Sequence, residues 1–255
     1  MHLGFDRSDY PGDAVMQSLW DNTPLAFAAA YLAPAPSHPN TSWMSAVSTL
    51  TGMGWGLAPV FVGQQAPGGP GSHVLTAAQG TVDAQTTESL GQTAGLAPGA
   101  VVYLDVEIGG RLTPDHLAYV AAWANSVTAE TSYNPGVYCS FSQTAAQITA
   151  EVGTIPVWVF HPVDAGPSQI DLATENPPDP TDSGFAGALV WQYRMSLSGS
   201  VNLNWTDSAT PKHLQQVDLD SATCLDPSHP DHTDRKATRR RKRQLEHSGP
   251  RHGAH

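Results

Sequence analysis

The sequence predicts an α/β fold, an irregular (β/α)8 barrel of the TIM type, and three observations lead to it. Short apolar runs alternate with longer segments of helical periodicity, which is typical of βα units around a parallel sheet. The number of apolar runs approaches eight. The chain has 255 residues, a length that one such barrel commonly occupies. We therefore predict a barrel over residues 1–225 and a basic, disordered tail over residues 226–255.

Four strands are predicted in the first half of the chain, at residues 3–6, 25–32, 58–63 and 101–107. The helices between them are predicted from about Asp13, over Trp43, Val47 and Leu50, and at about residues 72–91. In the first helix the apolar residues Met16, Leu19 and Trp20 share one face, as expected for a helix that packs against a sheet.

Four more strands are predicted in the second half, at residues 137–139, 155–160, 188–193 and 217–219. Thr113, Pro114 and Asp115 provide an N-cap, a proline at the first helical position and an acid in the first turn, so a helix is predicted from there to about Thr131. Another helix is predicted at residues 142–151. A helix is missing after strand 6, because residues 161–184 are rich in Pro, Asp and Ser. Between strands 7 and 8, polar and apolar residues alternate over residues 201–204, which predicts a hairpin-like segment.

Charge is divided unevenly along the chain. Residues 1–234 contain four of the 12 basic residues and 22 of the 23 acids, a net charge of −18. A body this acidic repels a phosphate backbone, so nucleic acid is not expected as a partner of the barrel. The other eight basic residues lie in the tail, mostly at residues 239–243, where almost no apolar residues occur. The tail either contacts an anionic surface or the protein's own acidic body, or has no role.

Neither a membrane span nor a signal peptide is expected. No apolar run reaches the ~18 residues that a transmembrane helix needs. Residues 3–6 already have the pattern of the first strand, which leaves no room for the apolar region of a signal peptide before them. Localisation is therefore unknown from these patterns alone.

The two cysteines, Cys139 and Cys224, have no zinc-ligand spacing. Cys139 ends strand 5 and Cys224 follows strand 8, so in a barrel their Cα atoms lie beyond the ~7 Å limit for a disulfide. We predict two reduced thiols, with Cys139 slow to react on its buried strand and Cys224 fast beside the tail.

The fourth predicted strand ends in two carboxylates, Asp105 and Glu107. Residues two apart on a strand point the same way, with Cα atoms ~6.6 Å apart, so both acids share one small volume. Repulsion between close carboxylates raises the pKa of one of them, which suits one group to donate a proton. The alternative is a strand end with two solvated acids.

Six short segments resemble the strand ends of a known family. They are residues 4–6, 103–107, 136–138, 156–159, 190–193 and 217–220. In this order they resemble family 25 lysozyme-type muramidases and, more closely, the related glycoside-hydrolase-like barrel domains of actinobacteria and their phages. The resemblance spans about residues 3–222. The strand end at residues 63–65 and the Gly-rich, acid-poor loop after it are more similar to the glycoside-hydrolase-like group than to true lysozymes.

The resemblance implies that the active groups gather at the C-terminal ends of the barrel strands, as in TIM barrels generally. Asp6, Asp105, Glu107 and Asp218 would meet there as catalytic residues. In the lysozyme family the acid matching Glu107 is the proton donor, and the one matching Asp105 orients the substrate's 2-acetamido group. Asp220 is an alternative to Asp218, because residues two apart on a strand face the same side. Asp6 has the alternative of capping the loop that follows it.

Candidate substrate-binding residues lie at or near the predicted strand ends. They are Tyr138, Trp158, Trp191, Gln192 and Tyr193. A flat aromatic ring stacks on the apolar face of a pyranose, although core packing explains such residues equally well. His161 follows strand 6, and with the acids it would offer ligands to a divalent ion; a hydrogen-bonded histidine without a ligand role is the alternative. No metal and no cofactor is predicted.

The predicted function is hydrolysis of an N-acetylated glycan, with cell-wall peptidoglycan as the first candidate and Glu107 as general acid. Attack by the substrate's own acetamide suits this site better than a protein nucleophile, because Asp105 lies beside Glu107 rather than across the sugar ring. Two alternatives stay open. One is a barrel that binds cell-wall sugar without cleaving it, suggested by small loops such as residues 68–71 that leave the cleft open to water. The other is a metal-dependent phosphodiesterase. The resemblance implies a cell-wall or extracellular location.

Overall fold

A computed structural model of the chain describes residues 1–164, 169–172, 175–195, 200–204, 213–215 and 217–231. Eight strands form a closed barrel, in the order β1-β11-β8-β6-β5-β4-β3-β2, and three short strands form a separate sheet, in the order β10-β9-β7. The strands are β1 His2–Asp6, β2 Leu25–Tyr31, β3 Gly56–Phe61, β4 Val101–Val106, β5 Asn134–Ser140, β6 Val157–Asp164, β7 Gln169–Asp171, β8 Ala188–Arg194, β9 Ser200–Asn204, β10 His213–Gln215 and β11 Asp218–Ala222. The α-helices are α1 Asp13–Asn22, α2 Val47–Met53, α3 Ala77–Ala94, α4 Pro114–Glu130 and α5 Ser142–Val152. The predicted α/β barrel is confirmed.

The predicted irregularities are also present. Between β6 and β8 the described residues contain β7 and a 3-10 turn, Pro180–Ser183, but no α-helix. β9 and β10 pair antiparallel, so the predicted hairpin-like segment is confirmed. The Thr113 hydroxyl accepts a hydrogen bond from the His116 backbone N–H (3.3 Å), which confirms the predicted N-cap of α4.

The last barrel strand runs in a direction that the sequence did not predict. β11 is antiparallel to both of its neighbours, with Asp6 opposite Asp218 and Leu219 opposite Arg194. Where the structure describes the connection from β8, at residues 200–204 and 213–215, the chain forms β9 and β10, not a helix that would return it to the other end of the barrel. The chain therefore enters β11 at the end where β8 leaves, and Asp218 begins its strand instead of ending it.

Two helix starts differ from the prediction. α2 begins at Val47, and Trp43 lies in the turn before it. α3 begins at Ala77, after Thr76 as N-cap, rather than near residue 72. Residues 72–76 are held by the loop after β3 instead, since the Gln65 N–H donates to the Ser72 carbonyl (2.7 Å) and the Val74 N–H donates to Gln64 Oε1 (3.0 Å).

The core has two layers that follow the alternation of each strand. Phe27, Tyr103 and Trp158 belong to the layer inside the barrel. Leu104 and Val106 belong to the layer between strands and helices. Asp105 has the parity of Tyr103, so its side chain joins the inner layer at the barrel mouth.

Residues beyond β11 close the opposite end of the barrel. Asp226 Oδ1 accepts from the Leu57 N–H (3.0 Å), the Tyr103 hydroxyl donates to the Pro227 carbonyl (2.9 Å), and the Val101 N–H donates to the Ser228 carbonyl (2.8 Å). Residues 226–228 thus bind the barrel, although the predicted tail begins at residue 226. The rest of the predicted tail, residues 232–255, lies outside the described residues.

Cys139 is buried, Cys224 is half-buried, and no disulfide joins them, as predicted. Burial raises the pKa of the Cys139 thiol to about 12. Among the described helices, none combines the length and the hydropathy that a bilayer span requires.

Candidate active site

A pocket of about 140 Å³ opens at the mouth of the barrel. Four of its lining residues are the acids singled out from the sequence, Asp6, Asp105, Glu107 and Asp218. Asp6 ends β1 and Asp105 lies near the end of β4, with Glu107 directly after that strand. Asp218 reaches the same mouth because β11 is antiparallel and starts there. The fold therefore brings all four predicted acids together.

The end of β4 is held by one amide side chain. Gln65 Nε2 donates to the Asp105 carbonyl (3.0 Å), and Gln65 Oε1 accepts from the Glu107 N–H (3.4 Å). On the other side, the Ser140 hydroxyl donates to the Glu107 carbonyl (2.8 Å). The backbone that carries both acids is thus held by one residue that follows β3 and one that ends β5.

The two acids of β4 have different surroundings. Asp105 is 5% exposed, whereas Glu107 is exposed at the rim. Burial first, and then the charges of Glu107 and Asp6, raise the pKa of Asp105 well above its usual value. Within the described residues, no hydrogen-bond donor reaches Asp105 Oδ1. The neutral form of Asp105 is therefore favoured.

A second group of polar side chains lies across the mouth. The Tyr138 hydroxyl donates to Gln192 Oε1 (2.6 Å), and Gln192 Nε2 donates to Asp218 Oδ2 (2.7 Å). The Tyr31 hydroxyl donates a longer hydrogen bond to Asp6 Oδ1 (3.4 Å). These contacts orient the Asp6 and Asp218 carboxyl groups towards the pocket.

Asp220 lies one layer below Asp218 and is completely buried. Trp158 Nε1 donates to Asp220 Oδ1 (3.1 Å). Burial, followed by the charges of Asp6 and Asp218, raises the pKa of Asp220, and burial followed by the charge of Asp218 raises that of Asp6. In the described part of the chain, no residue outside this pair donates a hydrogen bond to Asp6 Oδ2 or to Asp220 Oδ2. A hydrogen bond between the two carboxyl groups, with the proton on Asp220, satisfies this buried pair.

Tyr138, Trp158 and Gln192 line the pocket, but the other two predicted substrate-binding residues do not. Trp191 and Tyr193 face the outer layer, because Gln192 between them faces inwards. Trp191 Nε1 donates to the His161 carbonyl (2.8 Å), and the Tyr193 hydroxyl donates to Glu175 Oε1 (2.9 Å). Both side chains are therefore structural.

His161 also lies away from the acids. Its Nδ1 is 2.7 Å from the Ser183 carbonyl oxygen, and its side chain does not line the pocket. In the residues described, no group of three His, Cys, Asp or Glu side chains is arranged to hold a metal ion.

Three residues of the site were not singled out as site residues from the sequence. Tyr31 and Val60 line the pocket, and Gln65 holds β4. Tyr31 has the parity of Phe27 on β2, so strict alternation along that strand would have found it. Gln65 follows β3 outside regular structure, and nothing in its local pattern predicts its reach to β4.

A family model described as Rv2525c-like, glycoside hydrolase-like domain matches residues 18–224. No curated protein matches the sequence.

Several solved structures share the fold. The Mycobacterium tuberculosis Tat-secreted protein Rv2525c, in complex with L-tartrate, is 14% identical with a TM-score of 0.56, over 87% of this chain and 95% of that one. The bacterial lysozyme from Streptomyces coelicolor is 16% identical with a TM-score of 0.54, over 89% of this chain and 96% of that one. The modular autolysin LytC from Streptococcus pneumoniae, in complex with a synthetic peptidoglycan ligand, is 13% identical with a TM-score of 0.52, over 86% of this chain and 46% of that one.

Proposed function

Because the chain belongs to the Rv2525c-like, glycoside hydrolase-like domain family, we propose that it hydrolyses an N-acetylated glycan, with cell-wall peptidoglycan as the first candidate. The observation that carries the proposal is that Asp6, Asp105, Glu107 and Asp218 line one shared pocket. A pair of carboxyl groups in different surroundings is the usual equipment for cleaving a glycosidic bond.

Glu107 is the general acid of the proposed reaction. Its exposed carboxyl lies at the rim of the pocket, and its backbone is held by Gln65 and Ser140, so it meets the glycosidic oxygen of a bound glycan in a fixed position. Glu107 protonates that oxygen while the carbonyl oxygen of the substrate's acetamido group bonds to the anomeric carbon. The bond to the leaving sugar breaks. Ionised Glu107 then removes a proton from the water that opens the cyclic intermediate, which restores the acid and retains the anomeric configuration.

Asp105 orients the acetamido group in this proposal. The pocket of about 140 Å³ is smaller than the ~300–1,000 Å³ clefts that enclose drug-sized ligands, so it admits one substituent of a sugar rather than several sugars. Asp105 lines this volume, and in this proposal its carboxyl group hydrogen-bonds the amide. The rest of the glycan lies across the rim.

A location outside the cell follows from the proposed substrate. The autolysin LytC is described in complex with a synthetic peptidoglycan ligand, and Rv2525c is described as Tat-secreted. These names support the proposal through the shared fold.

The test compares binding with cleavage on a panel of purified glycans, with peptidoglycan, chitin oligosaccharides and a glycan without acetamido groups. Pull-down measures binding and the release of reducing ends measures cleavage. We expect binding and release only with the N-acetylated members. Binding without release would make the protein a cell-wall sugar-binding barrel, and neither binding nor release would overturn the proposal.

A further inference from the structure

Apolar side chains are exposed at one side of the barrel mouth. Ile108, Phe141 and Val163 are among the large hydrophobic residues with 40% or more of their surface in water. Ile108 follows β4, Phe141 follows β5 and Val163 lies near the end of β6. These three strands are adjacent in the barrel. All three residues therefore lie at the mouth end of the barrel, at the strands on the side of Glu107.

Phe141 has a backbone conformation that phenylalanine rarely adopts. Its φ is 71° and its ψ is 143°, and among the residues that the structure describes it is the only non-glycine with positive φ. Glycine would take this conformation without strain. A strained residue that is 52% exposed gains little from burial, and strain of this kind concentrates at functional sites.

The ring is supported from one side by a glycine. A Cβ atom on Gly109 would lie 2.3 Å from Cε2 of Phe141 and 2.5 Å from Cδ2, so only glycine lets the ring lie against the loop after β4. Gly109 is two residues from Glu107. The ring is therefore directly beside the backbone that carries the proposed acid, and its other side is open to water.

The loop and the strand corner are fixed to each other by hydrogen bonds. The Ser140 hydroxyl donates to the Glu107 carbonyl (2.8 Å), and the Thr144 hydroxyl donates to the Gly110 carbonyl (2.6 Å). The Gln147 amide accepts from the Leu112 N–H (2.8 Å) and donates to the Leu112 carbonyl (3.2 Å). The position of the Phe141 ring relative to Glu107 is thus set in the unbound protein, as a binding surface requires.

We propose that Phe141, supported by Gly109, is a stacking platform for a pyranose ring of the glycan. This ring belongs to the sugar one subsite away from the one whose glycosidic oxygen Glu107 protonates. An exposed aromatic ring offers what the acids lack, a flat apolar surface for the C–H face of a sugar. This inference rests on the proposed function. It deepens it, because the ligand must be a chain long enough to cover both the pocket and the ring.

The test uses Phe141→Gly, which removes the ring and leaves a residue that adopts this φ without strain. KM and kcat are measured on soluble peptidoglycan fragments of increasing length. Because the platform holds sugar equally well before and during the reaction, we expect KM for long fragments to rise about tenfold, the equivalent of about 1.4 kcal/mol, with kcat almost unchanged. Fragments too short to reach the ring lose nothing. Phe141→Tyr restores the KM of the unaltered protein.

Val82→Ala is the matched control, since Val82 is equally exposed (51%) but lies on α3. An unchanged KM for long fragments in Phe141→Gly would overturn the platform and leave the proposed function standing. An equal loss of kcat at every length would also overturn it, since the ring would then only position Glu107. If the unaltered protein binds without cleaving, Kd replaces KM and the same tenfold change is expected. If it does neither, both proposals fail.

Discussion

The surroundings of Asp220 decide whether its carboxyl group is protonated or ionised. It has no exposed surface, it accepts from Trp158, and it faces Asp6 and Asp218 on neighbouring positions of the mouth. The aromatic hydroxyls of Tyr31, Tyr138 and Tyr193 lie within reach of its charge. Burial and like charges both favour the protonated acid, so Asp220 serves as a hydrogen-bond donor to Asp6 rather than as an anion.

Replacing Asp220 by Asn tests this assignment through stability. The pKa of Asp220 is raised in the folded protein, so its favourable contribution is full below the unfolded value of about 3.8 and is lost as pH rises through the raised folded value. Asn keeps a donor for Asp6 and an acceptor for Trp158 but cannot ionise. We expect Tm of Asp220→Asn to equal that of the unaltered protein at acidic pH and to exceed it increasingly as pH rises, by about 2–4 °C for each ~1 kcal/mol.

Thermal melts from pH 4 to pH 9 measure the difference, with Asp220→Leu as the control that removes both hydrogen bonds. The Leu variant should be less stable at acidic pH, because it leaves Trp158 Nε1 and Asp6 Oδ2 without partners. A Tm difference for Asp220→Asn that stays constant with pH would show that Asp220 does not hold a proton in the folded state.

Among the elements, the segment after β11 binds the closed end of the barrel, although its composition predicted a disordered tail. Residues 226–228 supply partners for Leu57, Tyr103 and Val101 at the closed end of the barrel. Gly56 also admits the segment closely, since a Cβ atom there would lie 1.9 Å from the Leu225 carbonyl oxygen. The barrel therefore depends on residues that the sequence pattern assigned to the tail.

Two truncations separate the segment from the tail. A chain ending at residue 231 should melt at the temperature of the full chain, whereas one ending at residue 225 should lose three hydrogen bonds worth about 1 kcal/mol each, and about 6–12 °C in Tm. Equal melting temperatures for the two truncated chains would contradict the role of residues 226–228.

Local pattern predicted most elements because strand alternation and helix caps are local. The N-cap at Thr113 and the acids at the ends of β1 and β4 lie where the sequence indicated. The start of α3 was misplaced because residues 72–76 bond to Gln64 and Gln65, a contact between loops that periodicity does not register. The direction of β11 depends on the path of the preceding connection, which no residue in the strand specifies.

Three of the five predicted substrate-binding residues line the pocket and two do not, for a related reason. Both faces of a barrel strand are buried, one by the inner layer and one by the helices, so apolar periodicity does not tell which face looks inwards. On β8 this ambiguity placed Trp191 and Tyr193 in the site with Gln192, although only Gln192 faces the pocket.

At the scale of the whole molecule, the two ends of the barrel have different tasks. One end is closed by the chain itself, and the other presents the acids with Phe141 beside them. Residues 1–234 carry a net charge of −18, which disfavours a phosphate backbone as a partner of the barrel. The closed end stabilises the frame on which the mouth acids are positioned.

The release of reducing ends from purified peptidoglycan by Glu107→Gln tests the proposed general acid. Glu130→Gln is the matched control, because Glu130 is exposed at the far end of α4. We expect the loss of general acid catalysis to lower the release by about 10²–10⁴-fold in Glu107→Gln, with pull-down on peptidoglycan and Tm unchanged, while Glu130→Gln behaves as the unaltered protein. Full release by a folded Glu107→Gln protein would contradict the assignment of this site as a glycosidase centre.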